Sequence, residues 1–169
     1  MANETVGGLQ LVVTLRGYVA GLDGAMLRVE REYVCNFTDG TGNNQIGYVW
    51  QDTARALNAT NETLDLDALT DFQGAAQTGC AVAGGLKLIW IEHKSTTAAE
   101  ILSLGGGDLA GATGPLVDTS DLVRVGPKGF ILWVSPYEGA TITASTGDGL
   151  KVAVTGNTTY DITLAGRNT

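Results

Sequence analysis

The chain is poor in the residues on which most enzyme and metal chemistry is built. It has one histidine, His93, and two cysteines, Cys35 and Cys80, in 169 residues. A zinc site needs several Cys and His at short spacing, so this composition excludes one. The cysteines form no C-x-x-C pair, and small buried thiols are expected, with a single disulfide as the alternative. Basic residues are scarce too, 10 Lys and Arg against 18 Asp and Glu, for a net charge of -8. Such a surface repels phosphate backbones and anionic lipid, which argues against nucleic acid and membrane as partners. No apolar run approaches the roughly 18 residues of a membrane helix. Met1-Ala2-Asn3-Glu4-Thr5 lacks the basic start of a secretory signal. With only 3 prolines and no G-X-Y period, the chain is not collagen-like either.

Glycine is abundant, 24 residues, and hydrophobic residues make up 44%. The glycines punctuate short apolar runs. From Ser120 to Gly166 the runs Leu122 to Val125, Phe130 to Val134, Thr141 to Ala144, Leu150 to Val154 and Tyr160 to Leu164 are separated by turn sequences such as Gly126-Pro127-Lys128-Gly129 and Thr155-Gly156-Asn157. Runs of this length, bounded by Gly, Pro, Asn and Asp, read as strands. Leu9, Leu11, Val13 and Leu15 alternate with Gln10, Val12, Thr14 and Arg16 and continue through Tyr18 to Asp23-Gly24, a hairpin signal. The returning run places Leu27, Val29 and Tyr33 on one face. Further strands are expected at Ile46 to Gln51, at Leu64 and Leu66, and at Ile101 to Leu104. Leu86 to His93 is apolar on both faces, with Leu86, Leu88 and Trp90 on one and Ile89 and Ile91 on the other, which suits a central strand with Trp90 in the core. The segment Thr70 to Gly85 is undecided between loop and helical turn. The expected fold is all-β: an antiparallel, jelly-roll-like β-sandwich over 46-169, with an extra N-terminal β-hairpin and loop over 1-45.

Motifs for chemistry are weak. Gly105-x-Gly107-x-x-Ala110 has the spacing of a dinucleotide fingerprint, but Gly111, Gly114 and Pro115 break the helix that should follow. His93 has no nucleophile and carboxylate placed to make it a base, so a structural or solvent-touching role is expected. Asp39, Asn43 and Asn44, or Asp108, Asp118 and Asp121, offer oxygens for calcium without the spacing of a calcium loop, and turn formation is the simpler reading. Glu62, Asp65, Glu92 and Glu100 include no marked catalytic pair. Neither a catalytic residue nor a cofactor is expected. Among aromatics, Trp90 and Trp133 read as core, whereas Tyr48, Trp50 and Tyr137 are candidates for a sugar platform or a subunit contact.

One resemblance spans about Tyr48 to Gly166. Trp50-Gln51-Asp52-Thr53, Glu62-Thr63-Leu64-Asp65-Leu66, Lys94-Ser95-Thr96-Thr97 and Val125-Gly126-Pro127-Lys128-Gly129-Phe130-Ile131 are followed by Thr143 to Val152 and Thr159-Tyr160-Asp161-Ile162. Together they resemble a family of tailed-bacteriophage head decoration, or capsid cement, proteins. The resemblance implies a jelly-roll-like sandwich and a non-enzymatic homotrimer. Its partner would be the major capsid protein, and its place the outer surface of the capsid after synthesis in the bacterial cytoplasm. The hairpin, Leu9 to Phe37, lies outside the similar region and is expected to be either part of the same domain, as an added strand pair, or an assembly arm that binds the capsid or clasps the trimer. Leu9, Leu11, Val13, Tyr18 and Tyr33 on it, with Tyr48, Trp50 and Tyr137, are the expected capsid or subunit contacts. The alternative is a carbohydrate-binding jelly-roll module on a phage tail or host-facing surface.

Overall fold

The computed structural model describes residues 7–20, 26–70, 85–105, 109, 116 and 120–167. The described residues contain eleven strands: β1 (Leu9–Ala20), β2 (Met26–Asp39), β3 (Gln45–Ile46), β4 (Tyr48–Asn58), β5 (Asn61–Asp65), β6 (Leu86–His93), β7 (Leu102–Gly105), β8 (Leu122–Val125), β9 (Phe130–Val134), β10 (Gly149–Val154) and β11 (Asn157–Gly166). The last eight pair in a nested series. β7 meets β8, β6 meets β9, β5 meets β10 and β4 meets β11, every pair antiparallel. This is one long ribbon folded back at the β7–β8 connection and wound on itself. Further pairing of β10 with β7 and β11 with β6 stitches the winding into two four-stranded sheets, β5-β10-β7-β8 and β4-β11-β6-β9. That is a jelly roll.

Alternation fills the space between the sheets. Ile162, Leu164 and Tyr160 of β11, Ile89 and Ile91 of β6, and Leu102 and Leu104 of β7 meet Leu150 and Val152 of β10 there, all almost wholly buried. Gly166 sits where β11 passes the backbone of Gly85. A Cβ on it would lie 1.7 Å from the Gly85 carbonyl oxygen, so only glycine fits. Gly105, the first glycine of the dinucleotide-like run, has φ +119, and a Cβ there would lie 2.1 Å from the Asp121 carbonyl oxygen. It closes the β7–β8 corner; most of the rest of that run lies outside the described residues.

The N-terminal hairpin adds a third layer. β1 and β2 pair from Leu9 opposite Phe37 to Ala20 opposite Met26, and β3 runs parallel to the end of β2. Leu11, Cys35, Phe37 and Ile46 pack with Leu88 and Ala165 on the outer face of the β4-β11-β6-β9 sheet. The hairpin thus covers part of the sheet's second face, which is why β6 is apolar on both faces from Leu88 to Ile91.

Three expectations need correction. Leu86 does not share a face with Leu88 and Trp90, because β6 skips a residue against β11 between Ala165 and Gly166. The extra residue is Lys87, and the shift carries Leu86 to the Ile89 and Ile91 side. Trp90 is half-buried under the hairpin and stacks on Phe130 with ring centroids 5.4 Å apart, outside the main core. Thr141 to Ala144 is not a ladder strand. Thr143 and Gly147 bridge each other across a tight turn, and the strand that follows, β10, already has both edges occupied by β5 and β7. The Asp23-Gly24 turn, most of Thr70 to Gly85, and Cys80 lie outside the described residues.

Candidate interaction surface

Among the described residues His93 and Lys87 are each held by neighbouring groups, and Cys35 is a buried free thiol. Fully buried His93 has Nδ1 3.2 Å from the Val125 carbonyl oxygen and Nε2 3.2 Å from Thr158 Oγ1. It ties β6 to β8 and β11 and does not touch solvent. Lys87, displaced inward by its bulge, donates to the carbonyls of Gly42 and Pro136 at 2.8 and 2.9 Å. Burial, with the nearby charge of Arg167, pulls its ammonium below the usual lysine value. It fastens the Asp39 to Asn44 loop to the turn after β9. In that loop Asn44 has φ 55 and its amide donates to the Pro136 carbonyl, which is turn geometry. Among the described residues no three His, Cys, Asp or Glu gather as metal ligands would.

Of the candidate acids, Glu62 belongs to one cluster and Glu92 and Glu100 to another, while Asp65 accepts the Asp67 amide in the turn after β5. Glu62 receives Arg55 Nε and Nη2, and the Tyr160 hydroxyl donates to it at 2.5 Å. Asp52 takes the other end of the guanidinium at 2.6 Å. A second bulge makes this possible. β4 slips against β11 between Tyr160 and Ile162, so Asp52 and Arg55 reach the same face. The Ala54 amide in the bulge donates to Asp161 at 2.8 Å, with Ala54 at φ 57. Burial pushes the Glu62 carboxyl up, but hydrogen bonds from Arg55 and Tyr160 outweigh it and hold the group below its usual range. Burial and the bond to Glu62 push the Tyr160 phenol far above its ordinary value. In the other cluster Lys94 bridges Glu92 and Asp161, and Glu100 takes the Ser95 hydroxyl at 2.5 Å. Lys94, Ser95, Thr97, Glu100 and Asn157 line an open polar cleft of about 400 Å³. Residue spacing alone could not reveal the Arg55–Glu62–Tyr160 network, because it depends on the bulge.

The aromatic and apolar candidates separate sharply. Tyr48 and Trp50 are buried inside the sandwich, the Trp50 indole donating to the Thr70 carbonyl at 2.7 Å, so neither lies on a surface another molecule touches. Trp133 packs against the main core as expected. Tyr137 is exposed on the turn after β9. On the hairpin, Leu11 is buried and Leu9 and Val13 are partly buried, all within the second cluster. The side chain of Tyr18 lies outside the described residues.

The hairpin's own geometry is more informative than any single residue. Partners in the ladder share a face, so Leu9–Phe37, Leu11–Cys35, Val13–Tyr33 and Leu15–Arg31 form one stripe. The other stripe holds Gln10–Asn36, Val12–Val34, Thr14–Glu32 and Arg16–Glu30. The first stripe begins buried against the sheet and emerges uncovered, Tyr33 at 44% and Leu15 at 62% exposure. Beside its buried end is an apolar groove of about 270 Å³, walled by Leu9 and Leu11 on one side and Leu88 and Trp90 on the other. Gln10, Gln51 and Thr163 complete the groove, and among the described residues no charged side chain lines it. Comparison with family models, curated proteins and solved structures returned no significant match.

Proposed function

We propose that this chain is a non-enzymatic virion protein, a decoration or cement protein that binds the outer surface of a bacteriophage head as a homotrimer and reinforces the shell. The observation that supports it most is the pairing of a jelly roll with a hairpin whose apolar stripe runs from a buried base into solvent. A protein that works by spreading contacts over neighbouring subunits needs a stiff body and an exposed contact element more than a reactive pocket. Repetition around the shell would make modest contacts cumulative. The resemblance over Tyr48 to Gly166 points the same way.

The hairpin is not a detachable arm, because its base covers Leu88 and Ala165. Deleting residues 1 to 37 would uncover that sheet face, so point substitutions are the cleaner probe. The test is to mix purified chain with undecorated heads of the virus that encodes it, then sediment the heads and image them. Saturable binding at regular surface positions, with a raised disruption temperature, is the expected outcome. No binding, or turnover of a substrate by the purified chain, would end the proposal. The carbohydrate-binding reading loses Tyr48 and Trp50 as a platform and retains Tyr137. A glycan array read alongside the head-binding assay separates the two.

A further inference from the structure

The geometry points to a specific self-contact: the exposed stripe of one chain's hairpin, led by Leu15 and Tyr33, seats in the groove formed by Leu9, Leu11, Leu88 and Trp90 of a second copy. This names the interface behind the homotrimer proposed above and rests on that part of the reading. Ridge and groove are both present on every chain, at different places, so the contact is head-to-tail and closes into a ring when the rotation allows.

Four observations select a second copy as the occupant. First, the stripe is continuous with a contact already made. Val13 and Leu11, next on the same face, pack on this very sheet surface within each chain, so the surface is already complementary to this ribbon. Second, six ladder pairs from Leu15–Arg31 to Ala20–Met26 extend the ribbon by roughly 20 Å. Where its side chains are described, Leu15, Tyr33 and Arg31 on one face and Thr14, Arg16 and Glu32 on the other are all exposed. A two-stranded ribbon whose described side chains are largely exposed is marginal in water, and an apolar face on it calls for a partner.

Third, charge favours this approach. Residues 9–37 hold Arg16, Arg28 and Arg31 against Asp23, Glu30 and Glu32, so the whole net charge of -8 lies outside the hairpin. Two acidic bodies therefore meet with least repulsion through this element, and the groove that receives it is lined without charge. Fourth, among the described residues β1 is an edge strand, so its outer backbone groups beside the groove are available to pair with an incoming ribbon.

The test uses the full chain in solution, by light scattering after size exclusion. The wild type should run as an oligomer of the 17.5 kDa chain. Leu15→Glu, an exposed position, should release monomer, whereas Val34→Glu on the opposite face should leave the oligomer intact. Mixing Leu15→Cys chains with Gln51→Cys chains should give a disulfide between copies under mild oxidation, with neither variant doing so alone. A monomeric wild type overturns the contact and leaves head binding to be decided by its own assay. An oligomer that survives Leu15→Glu, or fails to cross-link in the mixture, overturns it while leaving a trimer standing. Loss of head binding by Leu15→Glu without loss of the oligomer assigns the stripe to the shell protein and overturns it as well.

Discussion

The molecule has two hydrophobic clusters that differ in how they are closed. Among the described residues the first holds 22 buried residues and lies between two sheets of the same chain. The second holds six, lies between the hairpin and the back of one sheet, and opens into a groove at one side and an exposed stripe at the other. Stability therefore resides in the first, and capacity for contact in the second. The same alternation writes both clusters, so what distinguishes them is how much of each stripe finds a partner within the chain.

Paired truncations test that division most severely. Ile162→Ala empties a fully buried site on β11 and should cost about 2 to 5 kcal/mol, read by urea denaturation. Leu11→Ala, at the margin of the groove, should cost about 2 kcal/mol or less, because water can reach the space it leaves. Equal losses would mean that the second cluster is as closed as the first.

A polar test comes next. Glu62→Gln keeps the shape but removes the charge that holds Arg55, and should cost about 1 to 3 kcal/mol at neutral pH. The pH dependence carries the sign. The Glu62 carboxyl is held below its ordinary value of 4.5 in the folded chain, and Asp161, bonded first by the Ala54 amide and then by Lys94, is also held low. Their stabilisation is present above the ordinary carboxylate value and is lost as pH falls through the depressed folded one. Wild type should therefore weaken in acid more steeply than Glu62→Gln. Equal acid slopes for the two proteins would show that the network contributes nothing.

What could be read from residue order follows the same physics. Strands at Leu9 to Leu15, Leu86 to His93, Phe130 to Val134 and Leu150 to Val154 were legible because alternation and bounding glycines are local signals. The faces were legible only where the ladder is regular. A one-residue bulge at Lys87 moved Leu86 to the other side of β6, and another near Ala54 brought Asp52 and Arg55 together; neither leaves a compositional mark. Residue order leaves Tyr48 and Trp50 open between core and contact because aromatics suit both, and only the winding of β4 against β11 decides between them. The stripe from Leu9 to Leu15 was legible as apolar, but where its cover stops is a property of the assembled sheets.

The smallest effect isolates one bulge. Ala54 holds φ 57, a left-handed conformation that costs an L-residue with a Cβ about 1 to 2 kcal/mol. It persists because the Ala54 amide reaches Asp161 and because the bulge lets Arg55 face Glu62. Ala54→Gly removes that penalty but adds freedom to the unfolded chain, which offsets about 0.4 to 1 kcal/mol. A net gain of up to about 1.5 kcal/mol, read by urea denaturation, is expected, with oligomer formation unchanged because Ala54 lies outside the residues that line the groove. A loss of stability would show that Ala54 does not adopt this conformation, and the bulge that aligns Asp52 with Arg55 would need another cause.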